Sequence, residues 1–261
     1  MQTRRFQAFL REWSSSRVGA ALFKQERELI EKELARLFGY YLLQVGKIST
    51  SNILSTSRIK DKIIIDDEYL STTEQLVIAD LDYLPFSAES MDVVVMPHTL
   101  ESVADPYHLV RQVDAILRAE GSLVITGFNP LGCTVLRSRL GAARKDLRKA
   151  HLIKMYRIID WLNLLGYEIK VAKHGPISCL TNRKGRLDTW FWNNLERFER
   201  WLDKIGIHFG NVYIIVAKKR EITPKPVGLD WKLANWLPIG NKGRVATSCD
   251  QHHLSKKQIN K

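Results

Sequence analysis

Residues Gln75–Pro130 read QLVIADLDYLPFSAESMDVVVMPHTLESVADPYHLVRQVDAILRAEGSLVITGFNP, and the architecture follows from their pattern. Three short apolar runs, Leu76–Ala79, Val93–Met96 and Leu123–Thr126, alternate with polar turns and one helix-period segment. Runs of that length separated by a helical segment argue for a parallel sheet with helical crossovers. Asp105-Pro106 opens the helix. The aspartate side chain can accept from the free N–H groups of the first turn, and proline at the first helical position loses no bond. Leu109, Val110, Val113, Ile116 and Leu117 share its apolar face, and Gly121 is expected to cap its C-terminus.

Working outward, residues 18–38 read as an amphipathic helix, with Leu22, Phe23, Leu29, Ile30, Leu34 and Leu37 at helical spacing. Leu42–Gly46 reads as a strand ending in glycine, and residues 48–54 as the start of a following helix. Ile63–Ile65 form a second strand that closes on Asp66-Asp67-Glu68. A helix over residues 153–165 stops at Gly166 and feeds a strand at Tyr167–Ala172. Val212–Ala217 is the last strand. The expected organisation is a helical extension over 1–38, an α/β domain over 39–220 and a basic, disordered tail over 221–261. Residues 176–210 form an aromatic-rich insertion, read either as a helix packed on the body or as a lid.

In an open parallel sheet, ligands sit at the carboxyl ends of the strands. Asp66 ends the second strand twenty residues after Gly46, the spacing at which a βαβ unit sets an acid against a ribose. Asp67 and Glu68 compete for that role, and a solvated turn is the bland alternative.

The strings ADLDYLPF (79–86), MDVVVMPHTLE (91–101) and EGSLVITGFNP (120–130) resemble the core of class I S-adenosylmethionine-dependent methyltransferases of the type 11 kind. The resemblance covers residues 40–130 and the two last strands. It implies a Rossmann-like sheet, mostly parallel with an antiparallel last strand and flanking helices, and a cofactor, S-adenosylmethionine. By the same resemblance Asp80 would bond the adenine amine and Leu81 would sit against the ring. Pro97 and His98 would line the cofactor and the substrate entry. Gly46 would let the backbone approach the methionine part. The chain departs from the family pattern at the first turn. That turn reads Gln44-Val45-Gly46-Lys47-Ile48-Ser49-Thr50, where the family carries an acid and two or three glycines. Residues that resemble a bacterial group with this thinned turn and a GFNP string complete the likeness.

Length, charge and cysteines bound the rest. The chain has 261 residues, 45% of them hydrophobic, and a net charge of +12, which suits an anionic acceptor or partner. Eight basic residues, Arg137, Arg139, Arg144, Lys145, Arg148, Lys149, Lys154 and Arg157, stand against the single acid Asp146 between 137 and 157. A solvated helix face is the plainer account of such a run. Cys133, Cys179 and Cys249 are scattered, with no spacing that suits zinc, so free thiols and no metal are expected. No apolar run approaches the ~20 residues of a membrane helix, and the N-terminus lacks a signal-peptide core. A cytoplasmic protein with no membrane contact is the default.

The expected function is methyl transfer from S-adenosylmethionine to an unassigned, anionic or small acceptor, with no catalytic side chain identified. Nucleic acid is the less favoured partner. The alternative is a degenerate methyltransferase fold that holds an anionic partner such as RNA without catalysis. A dehydrogenase reading fails on the lone Gly46.

Overall fold

The computed structural model describes residues 2–47, 52–69, 72–132, 151–175 and 210–220. The aromatic-rich insertion, the basic tail, all three cysteines and most of the 137–157 basic run lie outside them.

Seven strands form one sheet in the order β3-β2-β1-β4-β5-β7-β6. They are β1 (Tyr41–Val45), β2 (Asp61–Asp66), β3 (Gln75–Ile78), β4 (Met91–Pro97), β5 (Leu117–Phe128), β6 (Tyr167–His174) and β7 (Val212–Lys219). β1 through β5 pair in parallel, whereas β7 runs antiparallel to both β5 and β6. This is the Rossmann-like sheet, mostly parallel with the last strand antiparallel, that the resemblance implied.

Among the described residues four helices flank the sheet: α1 (Gln2–Ser14), α2 (Arg17–Leu34), α3 (Pro106–Ile116) and α4 (Met155–Leu164). Asp105 caps α3 through a bond from the His108 backbone N–H, with Pro106 at its first position, as its sequence implies. Leu109, Val110 and Val113 of α3 and Ile158 and Leu162 of α4 bury one face of the sheet. Ile30 and Leu34 of α2, with Ile53, Leu54 and Ile59, bury the other. Central strands covered on both faces read as continuous apolar runs, which is why β4 and β5 were legible as VVV and LVI.

Three local expectations are corrected. α2 ends at Leu34 rather than 38. Residues 53–56 form a turn, so no helix stands between β1 and β2 among the described residues. Gly121 does not cap α3. The chain turns extended at Leu117, and residues 118–121 bulge between the Met91↔Leu117 and Val93↔Ser122 pairs. Glycine is needed there because a Cβ would lie 2.8 Å from the Arg118 carbonyl oxygen and 3.0 Å from that of Asp92.

The N-terminal pair folds back onto the body at a tight corner. Ser16 caps α2 by accepting from the Gly19 N–H, and its N–H and hydroxyl both donate to the Trp13 carbonyl. A Cβ on Gly19 would sit 1.9 Å from that carbonyl oxygen. Gly19→Ala is therefore expected to lower stability by about 1–3 kcal/mol, despite a helix-propensity gain of about 1 kcal/mol. Urea unfolding measures this directly, and an unchanged midpoint would mean that the corner relaxes freely.

Candidate functional site

The carboxyl ends of β1, β2, β4 and β5 lie side by side, and α1 and α2 cover them. Gly46 follows β1 with φ +79°, a conformation glycine adopts at no steric cost. Its N–H donates to the Ile65 carbonyl, and the next N–H, of Lys47, donates to Asp66 Oδ2 at 2.8 Å. The first turn is thus stitched to the carboxylate at the end of β2. Gln44 donates to the Gly46 carbonyl at 2.8 Å, and the Thr99 hydroxyl donates to that of Val45 at 2.5 Å. These two bonds hold the turn whose glycines are few.

Asp66 is fully buried. Burial raises its carboxyl to about 6, against the lowering effects of the Lys47 N–H and the Arg11 guanidinium. Arg11, on α1, is the hub of this corner. Its Nη2 donates to Asp66 Oδ1 at 3.1 Å, Nη1 to Glu68 Oε2 at 2.5 Å and Nε to the Lys47 carbonyl at 3.1 Å. Gln7, one turn earlier, accepts from Arg11 Nη2, and its amide donates to Ser102 Oγ. A Cβ on Gly46 would meet the same Gln7 amide at 3.3 Å. The space above the first turn is therefore occupied by α1.

Past β4 the chain makes a second cluster. His98 has φ +51°, unusual for a residue with a side chain. It is fully buried, and both ring nitrogens are engaged, Nδ1 with Glu101 Oε2 at 2.8 Å and Nε2 with Glu26 Oε2 at 3.1 Å. The other carboxylate oxygens are also satisfied. Glu26 Oε1 accepts from Thr126 Oγ1, and Glu101 Oε1 accepts from the Phe128 N–H, each at 2.5 Å. Burial opposes the charge on His98, but the two carboxylates outweigh it and hold the imidazolium up to about 10. Burial pushes the Glu101 carboxyl upward. The Phe128 ring lies 3.9 Å from the imidazole, centroid to centroid.

The sequence-derived residues divide accordingly. Gly46 and Asp66 meet at one corner. Asp80 is exposed just beyond β3, its Oδ1 accepting from the Asp82 N–H at 3.0 Å. Register brings it close to Asp66, because Ile78 pairs with Asp66 and Ala79 donates to the Asp66 carbonyl. Leu81 is buried in the main apolar cluster with Val113 and Leu43 rather than on an open wall. Pro97 is buried at the end of β4, opposite Thr126. His98 has no ring nitrogen left for a ligand in this arrangement, nor can a buried imidazolium accept a proton.

Sequence reasoning missed the partners Gln7, Arg11, Glu26 and Glu101. One signal was present. Phe6, Leu10 and Trp13 recur at helical spacing, with Gln7 and Arg11 one turn apart beside them.

Among the described residues, no group of three His, Cys, Asp or Glu is placed to hold a metal ion, and no helix is long and apolar enough to cross a membrane.

Residues 48–125 match the family model described as a methyltransferase domain. The chain is 30% identical over 207 residues to the uncharacterized protein YafS of Escherichia coli, across 76% of this chain and 78% of that one. Its fold is similar to that of a methyltransferase of Thermotoga maritima, with a TM-score of 0.57 at 15% identity over 84% of this chain and 100% of that one. The plantazolicin methyltransferase BpumL, in complex with S-adenosylhomocysteine, gives 0.51 at 13% identity over 82% and 95%.

Proposed function

We propose that this chain, which belongs to one family with YafS and matches the methyltransferase-domain model over residues 48–125, is a class I S-adenosylmethionine-dependent methyltransferase that methylates a small anionic acceptor, with the cofactor held by Gly46, Asp66 and Asp80. The observation that carries the site reading is the stitched corner of Gly46, Lys47 and Asp66. A buried carboxylate at the end of β2 offers acceptor oxygens to a pair of vicinal hydroxyls, and the exposed Asp80 carboxylate, one strand over, offers one to an exocyclic amine. These groups fit a nucleoside cofactor in type and in order along the sheet edge. When bound, S-adenosylmethionine supplies an electrophilic methyl group on a sulfonium. The protein's share is then to position the acceptor in line and to exclude water. The positive net charge supports an anionic acceptor.

Calorimetric titration with S-adenosylhomocysteine tests the reading. Micromolar binding is expected, weakened in Asp80→Ala by about 1.5–3 kcal/mol, the worth of one hydrogen bond to a charged group. Unchanged affinity in Asp80→Ala would move the adenine site elsewhere. A specific observation also speaks for the competing reading, a fold that binds an anionic partner without catalysis. Gln7 and Arg11 stand where the cofactor would lie, and that reading expects no affinity for S-adenosylhomocysteine at all.

A further inference from the structure

We infer that α1 is an autoinhibitory gate, in which Arg11 occupies Asp66 as a stand-in for the cofactor ribose and must leave before the nucleoside can enter. The inference rests on the proposed role of Asp66. Three features of the N-terminal pair support it.

The first is chemical mimicry. A ribose diol would present O–H donors to Asp66, and Arg11 presents one N–H, from Nη2, to Asp66 Oδ1 while its Nη1 bridges to Glu68. Arginine is suited to this because its planar fork spans two acceptors. Asp66 is thereby kept paired while buried, which avoids the cost of an isolated buried charge.

The second is reach. Arg11 also binds the Lys47 carbonyl, so one side chain closes both the acid and the first turn. Gln7 crosses the same turn to Ser102 and lies against the face of Gly46. The segment that would contact the cofactor's methionine part is covered from the same helix.

The third is a division of labour between the two helices. α2 is tied inside the body by Glu26, whose two oxygens are committed to His98 and Thr126, and by the buried Leu22, Ile30 and Leu34. The polar ties of α1 are instead to the candidate site itself. α1 also buries Phe6, Leu10 and Trp13 with Leu22, Phe23 and Phe128, so the gate opens by withdrawing the Gln7 and Arg11 side chains while both helices stay packed. Nucleoside entry and the closed state are thus mutually exclusive claims on Asp66. A state that holds Arg11 there lowers apparent affinity by the fraction of time the gate is shut.

The test titrates the full chain with S-adenosylhomocysteine in four forms: wild type, Arg11→Ala, Arg11→Gln and Asp66→Asn. The gate predicts that both Arg11 variants bind about ten-fold tighter or better, the equivalent of one charge-assisted contact released. Two arginine variants guard against a folding defect in either. If Asp66→Asn binds more weakly while both Arg11 variants bind with wild-type affinity or less, the site reading stands and the gate is overturned. If Asp66→Asn binds as wild type does, the ribose role falls and takes the gate with it. Absence of binding in all four forms at millimolar ligand overturns both.

Discussion

His98→Gln is expected to lower the unfolding free energy by about 3–5 kcal/mol, the range for removing one partner of a buried ion pair. The size of the effect follows from the geometry. Glu26 and Glu101 come from distant parts of the chain, and each offers one oxygen to the imidazolium. Their other oxygens accept from Thr126 and the Phe128 N–H, neither of which carries charge. Without His98, two carboxylates would face each other in a dry interior. Glutamine can keep one hydrogen bond but not the charge. The φ of +51° adds to the cost of the native arrangement, and strain of that kind persists only where the surroundings enforce it. Urea unfolding of both forms at pH 7 measures the difference. A loss under about 1 kcal/mol would mean that the cluster rests neutral.

The same cluster sets a pH dependence whose sign can be worked out. His98 is held up to about 10 in the folded chain, above its ordinary 6.5. Its contribution is complete below pH 6.5 and is lost as pH rises from there towards 10. Asp66 adds a slope of the same sign at lower pH. Its carboxyl is raised to about 6 from 3.8, so the folded chain takes up a proton first, and stability increases as pH falls through that window. Wild type should therefore weaken steadily from pH 6.5 to 10, and His98→Gln should not.

The parallel sheet was legible in the sequence because its central strands are covered on both faces. Burial leaves VVV and LVI as unbroken runs, and the Asp-Pro pair punctuates the helix between them. Gly121 misled because glycine after a helix looks like a cap, whereas the close approach of the Arg118 and Asp92 carbonyls is what excludes a side chain there. Gly46 and Asp66 could be paired from spacing alone, since a βαβ unit has a nearly fixed length. The partners from α1 and α2 could not. Arg11 to Asp66 spans 55 residues and Glu26 to His98 spans 72, and nothing local announces contacts at such separations. A glutamate on a helix face reads as solvated until something is known of what packs on it. His98 at a strand end reads as site-facing for the same reason, since its burial is conferred by a helix seventy residues away.

Phe128→Ala is the second large effect, expected at about 3–5 kcal/mol for truncating a buried aromatic. Phe128 is fully buried at the end of β5, where the described N-terminal helices meet the sheet. Its ring lies 5.8 Å from Trp13 of α1 and 6.5 Å from Phe23 of α2, besides covering His98. Alanine would open a cavity beside an imidazolium, which admits water to the ion pairs and weakens them. Leucine keeps most of the volume and should lose less than alanine, about 1.5 kcal/mol or under if the surroundings repack. Exposed aromatics such as Tyr83 provide the contrast, since Tyr83→Ala should fall within about 0.5 kcal/mol of wild type. The double variant His98→Gln/Phe128→Ala separates packing from electrostatics. If the ring acts by keeping the cluster dry, the two losses overlap, and the double variant loses at least ~0.5 kcal/mol less than their sum. Strict additivity would mean that Phe128 stabilises only through its own apolar contacts, and that the ion pairs hold without it.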